Sequence, residues 1–151
     1  MSAKSFTFEV NRSSSAAPEK LFALVSDGSR WPEWAKPLVV SGSMVTEGNP
    51  APGGVGAIRK LGVGPVGVKE QTTAYEQDRL HAYAMLTPGP AKDYRAEVRL
   101  TPREDGGTDL RWTGKFNEGV PGTGKIVQRS LSKLIGTFAT KLVKAAERTG
   151  S

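Results

Sequence analysis

The chain has 151 residues, 37% hydrophobic and 24% charged, which suits one globular domain spanning 1–151 and excludes a disordered, charge-rich chain. It has no cysteine, so disulfides, thiolate metal sites and cysteine nucleophiles are excluded, and a cytoplasmic setting is expected. A net charge of +6 gives it a basic surface that acidic partners would meet.

Met1 to Val10 lacks the apolar stretch of a secretory signal, and no run approaches the roughly 20 apolar residues that span a bilayer. Residues 4–13 instead alternate, with Phe6, Phe8 and Val10 on one face, which predicts a half-buried strand. Pro18 and Glu19 then mark a helix entry. Leu21, Phe22, Leu24 and Val25 give that short helix one apolar stripe, ending near Asp27-Gly28. Trp31-Pro32-Glu33-Trp34 predicts a second short helix, with both tryptophans packing it in place. Six further strands are expected: Leu38–Thr46, Val55–Leu61, Val68–Tyr75, Leu80–Leu86, Tyr94–Thr101 and Thr108–Asn117. Short turns join most of them, Asp105-Gly106-Gly107 being the clearest, so consecutive strands pair antiparallel. The last element is a helix from about Gly124 to Arg148, with Gly150 as its stop. Its stripe is Ile126, Val127, Leu131, Leu134, Ile135, Phe138, Leu142 and Val143. The class is therefore α+β, a curved seven-stranded antiparallel sheet wrapped around one long helix. A single helix cannot cover such a sheet, and the space left over is where a ligand would sit.

Several motifs in this order carry a resemblance: Ala17-Pro18-Glu19-Lys20-Leu21-Phe22, Asp27, Trp31-Pro32-Glu33-Trp34, Glu70 with Ala74-Tyr75-Glu76 and Arg79, and Gly107 to Trp112. With them the chain resembles the SRPBCC superfamily, which includes START domains, birch-pollen-allergen-like proteins and the polyketide cyclase/dehydrase and lipid-transport group. The resemblance implies a helix-grip fold and a cavity for lipids, polyketides or aromatic compounds. It implies no cofactor and no single catalytic signature.

Two glycine-rich motifs mimic nucleotide sites. Gly119 to Lys125 matches GxxxxGK, but Ile126 stands where a magnesium-binding Ser or Thr belongs, and the preceding strand lies in an antiparallel meander. It reads as a loop into the helix, and the resemblance implies that this loop borders the cavity mouth. Gly62 to Gly67 matches GxGxxG, but it contains Pro65 and leads into a strand, so a hairpin is expected.

Among ionisable candidates, His81 is the only histidine, too few for a histidine-based metal site. It reads as structural, with proton transfer as the alternative. Glu70 shares a strand face with Val68, Thr72 and Ala74, opposite Lys69, Gln71, Thr73 and Tyr75. If the Val68 face is inner, Glu70 enters the cavity and needs a partner, for which Arg59, Arg95, Arg99 and Arg111 are available. It is then either a structural ion pair or a polar anchor and acid–base group. Tyr83, Tyr94, Trp112 and Phe116 lie on apolar strand faces as core or lining, and Leu131, Leu134, Ile135 and Phe138 meet them from the helix. Lys125, Arg129, Lys133, Lys141, Lys144 and Arg148 lie mostly off the helix stripe. They form a solvated face, or a weak contact for an anionic membrane surface. No basic strand with interleaved aromatics suggests nucleic acid.

The favoured function is non-catalytic binding or carriage of a small hydrophobic ligand, oriented by Glu70 and Tyr94. The alternative is a cofactor-free polyketide cyclase/dehydratase using Glu70 or His81. A third reading is an interaction module whose cavity is filled by side chains.

Overall fold

The computed structural model describes residues 4–63 and 66–148. Its elements are β1 (Ser5–Ser14), α1 (Pro18–Ser26), a 3-10 turn (Gly28–Arg30), α2 (Trp31–Trp34), β2 (Ser41–Thr46), β3 (Ile58–Val63), β4 (Val66–Glu76), β5 (Leu80–Met85), β6 (Ala91–Pro102), β7 (Thr108–Glu118) and α3 (Gly124–Arg148). The strands form one antiparallel sheet in the order β1-β7-β6-β5-β4-β3-β2. The first strand thus pairs with the last, and the sheet curls around α3 in a helix grip. Val63 pairs with Val66, so the GxGxxG motif is a hairpin whose Gly64 and Pro65 lie outside the described residues, as does Gly150.

Local chemistry explains the entry elements. Pro18 occupies the first turn of α1 beside Glu19, where its missing N–H costs nothing. The Asp27 carboxylate accepts from Ser29 N at 2.9 Å and Ser29 Oγ at 2.6 Å, which tightens the 3-10 turn. Trp31 and Trp34 donate their indole N–H groups to Val25 O and Leu24 O, each at 3.0 Å. Their buried rings pin α2 to α1 with no donor left unpaired.

α3 runs along β1. Gln128 Nε2 donates to Thr7 O at 2.6 Å, Arg12 reaches Gly136 O and Thr140, and Glu147 accepts from Ser14 Oγ at 3.0 Å. The C-terminal half of its stripe (Ile135, Phe138, Ala139, Leu142, Val143) is buried. In the N-terminal half, Val127, Leu131 and Leu134 are only partly covered.

Three expectations need correction. Ile126 is 68% exposed. At about 100° per residue it lies opposite Ile135, nine positions on, so spacing alone already sets it off the stripe. Tyr75 does not share the outward face of Lys69 and Thr73. The register of β4 on β5 shifts between Thr72 and Ala74, and this bulge turns Tyr75 inward to meet Phe22 at 5.1 Å between ring centres. The second and third strands begin later than expected, at Ser41 and Ile58. Leu38 and Val39 donate their N–H groups back to Ala35 O, so they close the α2 turn instead of extending a strand.

Candidate functional site

Arg59 and Glu70 face each other across β3 and β4, both on the inner side of the sheet. They are buried, at 2% and 6% exposure. Arg59 Nε donates to Glu70 Oε1 at 3.0 Å, and Nη2 lies 2.9 Å from the same oxygen. Nη1 donates to Val25 O at 2.7 Å. The guanidinium also lies 4.7 Å from the Trp31 ring centre and 4.9 Å from that of Tyr83, a cation–π sandwich in a dry setting. Of the four arginines expected as partners, Arg59 is the one on the inner face. Arg95, Arg99 and Arg111 are exposed. Among the described residues, no hydrogen bond or ion pair engages Glu70 Oε2.

Tyr83 and Tyr94 adjoin this pair. Trp112 Nε1 donates to Tyr83 Oη at 3.2 Å, and the two tyrosine oxygens are 3.5 Å apart. Burial, with Glu70's negative charge adding to it, raises the pKa of Tyr83. Burial and then Tyr83 raise that of Tyr94. Both therefore stay neutral phenols able to donate.

His81 is sealed, with no exposure. Thr72 Oγ1 donates to Gly53 O at 3.1 Å, so at 3.1 Å from His81 it must accept from Nε2–H. Nδ1 is then unprotonated and, among the described residues, unpartnered. Burial and then the Arg59 charge hold its pKa well below the usual histidine value. His81 joins the core to the segment carrying Gly53 and presents nothing to solvent.

The aromatic candidates divide by depth. Trp112 and Phe116 are fully covered. Trp112 stacks on Phe138 at 6.4 Å, and Trp31 meets Trp112 at 6.2 Å and Phe138 at 5.3 Å. Trp31, Trp112 and Phe138 fill the part of the grip nearest α2, whereas Phe116 stacks on Phe6 at 5.6 Å toward the β7–α3 loop. At the other end the apolar cover is incomplete. Phe6, Val68, Met85, Val127, Leu131 and Leu134 pack on the core but stay partly exposed. Val40, Leu86, Val120 and Ile126 are 48–68% exposed at this same end, near the β3–β4 hairpin, the β5–β6 loop and the β7–α3 loop. Glu70 sits between Val68 and Thr72, paired with Met85 of β5, where this apolar end meets the aromatic floor. Val68, Met85 and Val127 were not singled out as ligand contacts from sequence. Their apolar faces were legible, but which faces α3 leaves uncovered is a tertiary property.

The GxxxxGK loop binds an anion, and the anion is its own. Glu118 Oε2 accepts from Gly122 N and Gly124 N, both at 3.0 Å. Gly122 has φ of +89°, a left-handed conformation that suits glycine. The carboxylate thus occupies the nest of N–H groups at the start of α3, where a phosphate would otherwise bind.

A family model described as "Polyketide cyclase / dehydrase and lipid transport" matches residues 5–147. Among solved structures, the crystal structure of Ara h 8.0201 aligns over 97% of this chain and 97% of that one, at 22% sequence identity and a TM-score of 0.68, a likeness of fold. No curated protein gives a match.

Proposed function

Because the chain belongs to the polyketide cyclase/dehydrase and lipid transport family, we propose that it binds a small, largely apolar molecule at the incompletely covered end of the grip. The observation that carries this reading is the pairing of partly exposed Val68, Met85, Val127 and Leu131 with a buried carboxylate, Glu70, whose second oxygen has no protein partner among the described residues. Apolar surface removed from water there contributes roughly 25 cal/mol per Å² before the costs of association. Glu70 and the neutral hydroxyl of Tyr94 orient a hydroxyl or carbonyl on the ligand. Tyr83, Trp112, Phe116, Ile135 and Phe138 form the packed floor beneath it, and Leu131 and Leu134 form one wall.

The uncharged probe N-phenyl-1-naphthylamine tests this reading by its fluorescence gain on burial. Leu131→Arg places a charge in the wall and is expected to weaken binding about tenfold, or about 1.4 kcal/mol. Equal binding by the native chain and by Leu131→Arg would remove the site from this end.

A catalytic reading rests on the same group. The free Glu70 oxygen and the neutral phenol of Tyr94, which reaches the Arg59–Glu70 pair through Tyr83, supply an acid and a base of the kind a cyclase or dehydratase uses. Glu70→Gln separates the two readings: it keeps probe binding in both and ends turnover of a polyketide-type substrate only in the catalytic one.

A further inference from the structure

The outer side of α3 carries a feature independent of the apolar end. A groove of about 690 Å³ lies between α2 and α3, bordered by six cations: Arg12, Lys36, Lys133, Lys141, Lys144 and Arg148. Its one lining acid, Glu33, is engaged by Arg30, whose Nε and Nη2 donate to the two carboxylate oxygens at 3.0 Å each. Glu147, near the end of α3, is turned to Ser14 Oγ and Ser15 N, each at 3.0 Å.

Arg12 is the informative member. It crosses from β1 and lies half-buried over α3, where Gly136 gives it room: a Cβ there would stand 3.3 Å from Nη2. Its nitrogens donate only to neutral acceptors, Nε to Thr140 Oγ1 at 3.1 Å, Nη1 to Asn11 O at 2.8 Å and Nη2 to Gly136 O at 3.2 Å. No ion pair among the described residues includes it. Lys141 is held the same way, donating to Lys36 O at 2.9 Å. The fold therefore positions like charges around one hollow, Arg12 and Lys141 on neutral supports, and among the described residues its one lining acid is already paired with Arg30, although like charges repel. From Lys133 to Arg148 they extend roughly 22 Å along the helix, too far for a single phosphate to engage. The hollow is concave, whereas a bilayer surface would be met by a flat or convex patch.

We propose that this groove binds a small soluble polyanion carrying several phosphate groups. Inorganic tripolyphosphate, titrated by calorimetry near physiological ionic strength, tests it with two double variants of equal charge change. Lys133→Gln/Lys144→Gln removes two groove cations whose ammonium groups make no hydrogen bond to protein among the described residues. Lys60→Gln/Lys69→Gln removes an exposed pair facing each other on β3 and β4. The expected result is at least tenfold weaker binding for the groove variant, undiminished binding for the sheet variant, and unchanged N-phenyl-1-naphthylamine binding in both. The proposal is overturned by no heat up to about 1 mM tripolyphosphate, a concentration equivalent to only about 4 kcal/mol of affinity. Equal loss in both doubles, which reduces the effect to net charge, overturns it too. So does binding to phosphatidylglycerol vesicles that tripolyphosphate fails to displace.

Discussion

Arg59 is held from four sides, by Glu70, by Val25 O and by the rings of Trp31 and Tyr83. Removing one member of such a buried pair leaves an uncompensated charge. Arg59→Met is therefore expected to cost about 3–5 kcal/mol in urea denaturation, and Arg59→Met/Glu70→Leu less than that single change. A double variant less stable than Arg59→Met would show that Glu70 is not stranded by the loss. His81 sets a pH dependence. Its folded pKa is depressed, so the unfolded chain binds more protons. Its contribution is complete above the unfolded value near 6.5 and is lost as pH falls below it. His81→Asn should flatten stability between about pH 6.5 and 5 relative to the native chain, and an unchanged slope would assign the loss to other groups. Glu70 was legible as a carboxylate on an alternating strand face. Its partner was legible only as one of four arginines, because the choice is fixed by the β3–β4 register.

At the scale of elements, Glu118 clamps the loop that opens α3. Glu118→Ala leaves the N–H groups of Gly122 and Gly124 without their acceptor and removes a negative charge from the helix N-terminus. The expected loss is about 1–2 kcal/mol, with faster amide exchange at both glycines; unchanged exchange would show that the carboxylate is not their protector. The order and type of the elements could be read from hydrophobic period and turn residues, and α3 from Gly124 to Arg148 coincides with its expected span. Two things could not. The β4 bulge inverts the faces after Thr72 without a glycine or proline at that point to announce it. The loop's similarity to a phosphate-binding motif conceals that the acid just before it supplies the anion.

Across the whole molecule the grip is closed at one end and incomplete at the other. Around α2, Trp31, Trp34, Trp112 and Phe138 fill the space between sheet and helix. Toward the β7–α3 loop Phe6 stacks on Phe116 at 5.6 Å, and the aliphatic side chains Val127, Leu131 and Leu134 of α3 stay partly exposed. The sequence implied space between sheet and helix, since one stripe cannot cover seven strands. Where that space lies depends on how far the aromatic rings of α2, β7 and α3 reach, which no local pattern encodes. Methyl-detected NMR with N-phenyl-1-naphthylamine tests the central claim most directly. Shifts concentrated on Val68, Met85, Val127, Leu131 and Leu134, with Leu142 and Val143 unmoved, are the predicted result. Shifts centred on Leu142 and Val143, or none at saturating probe, would contradict it.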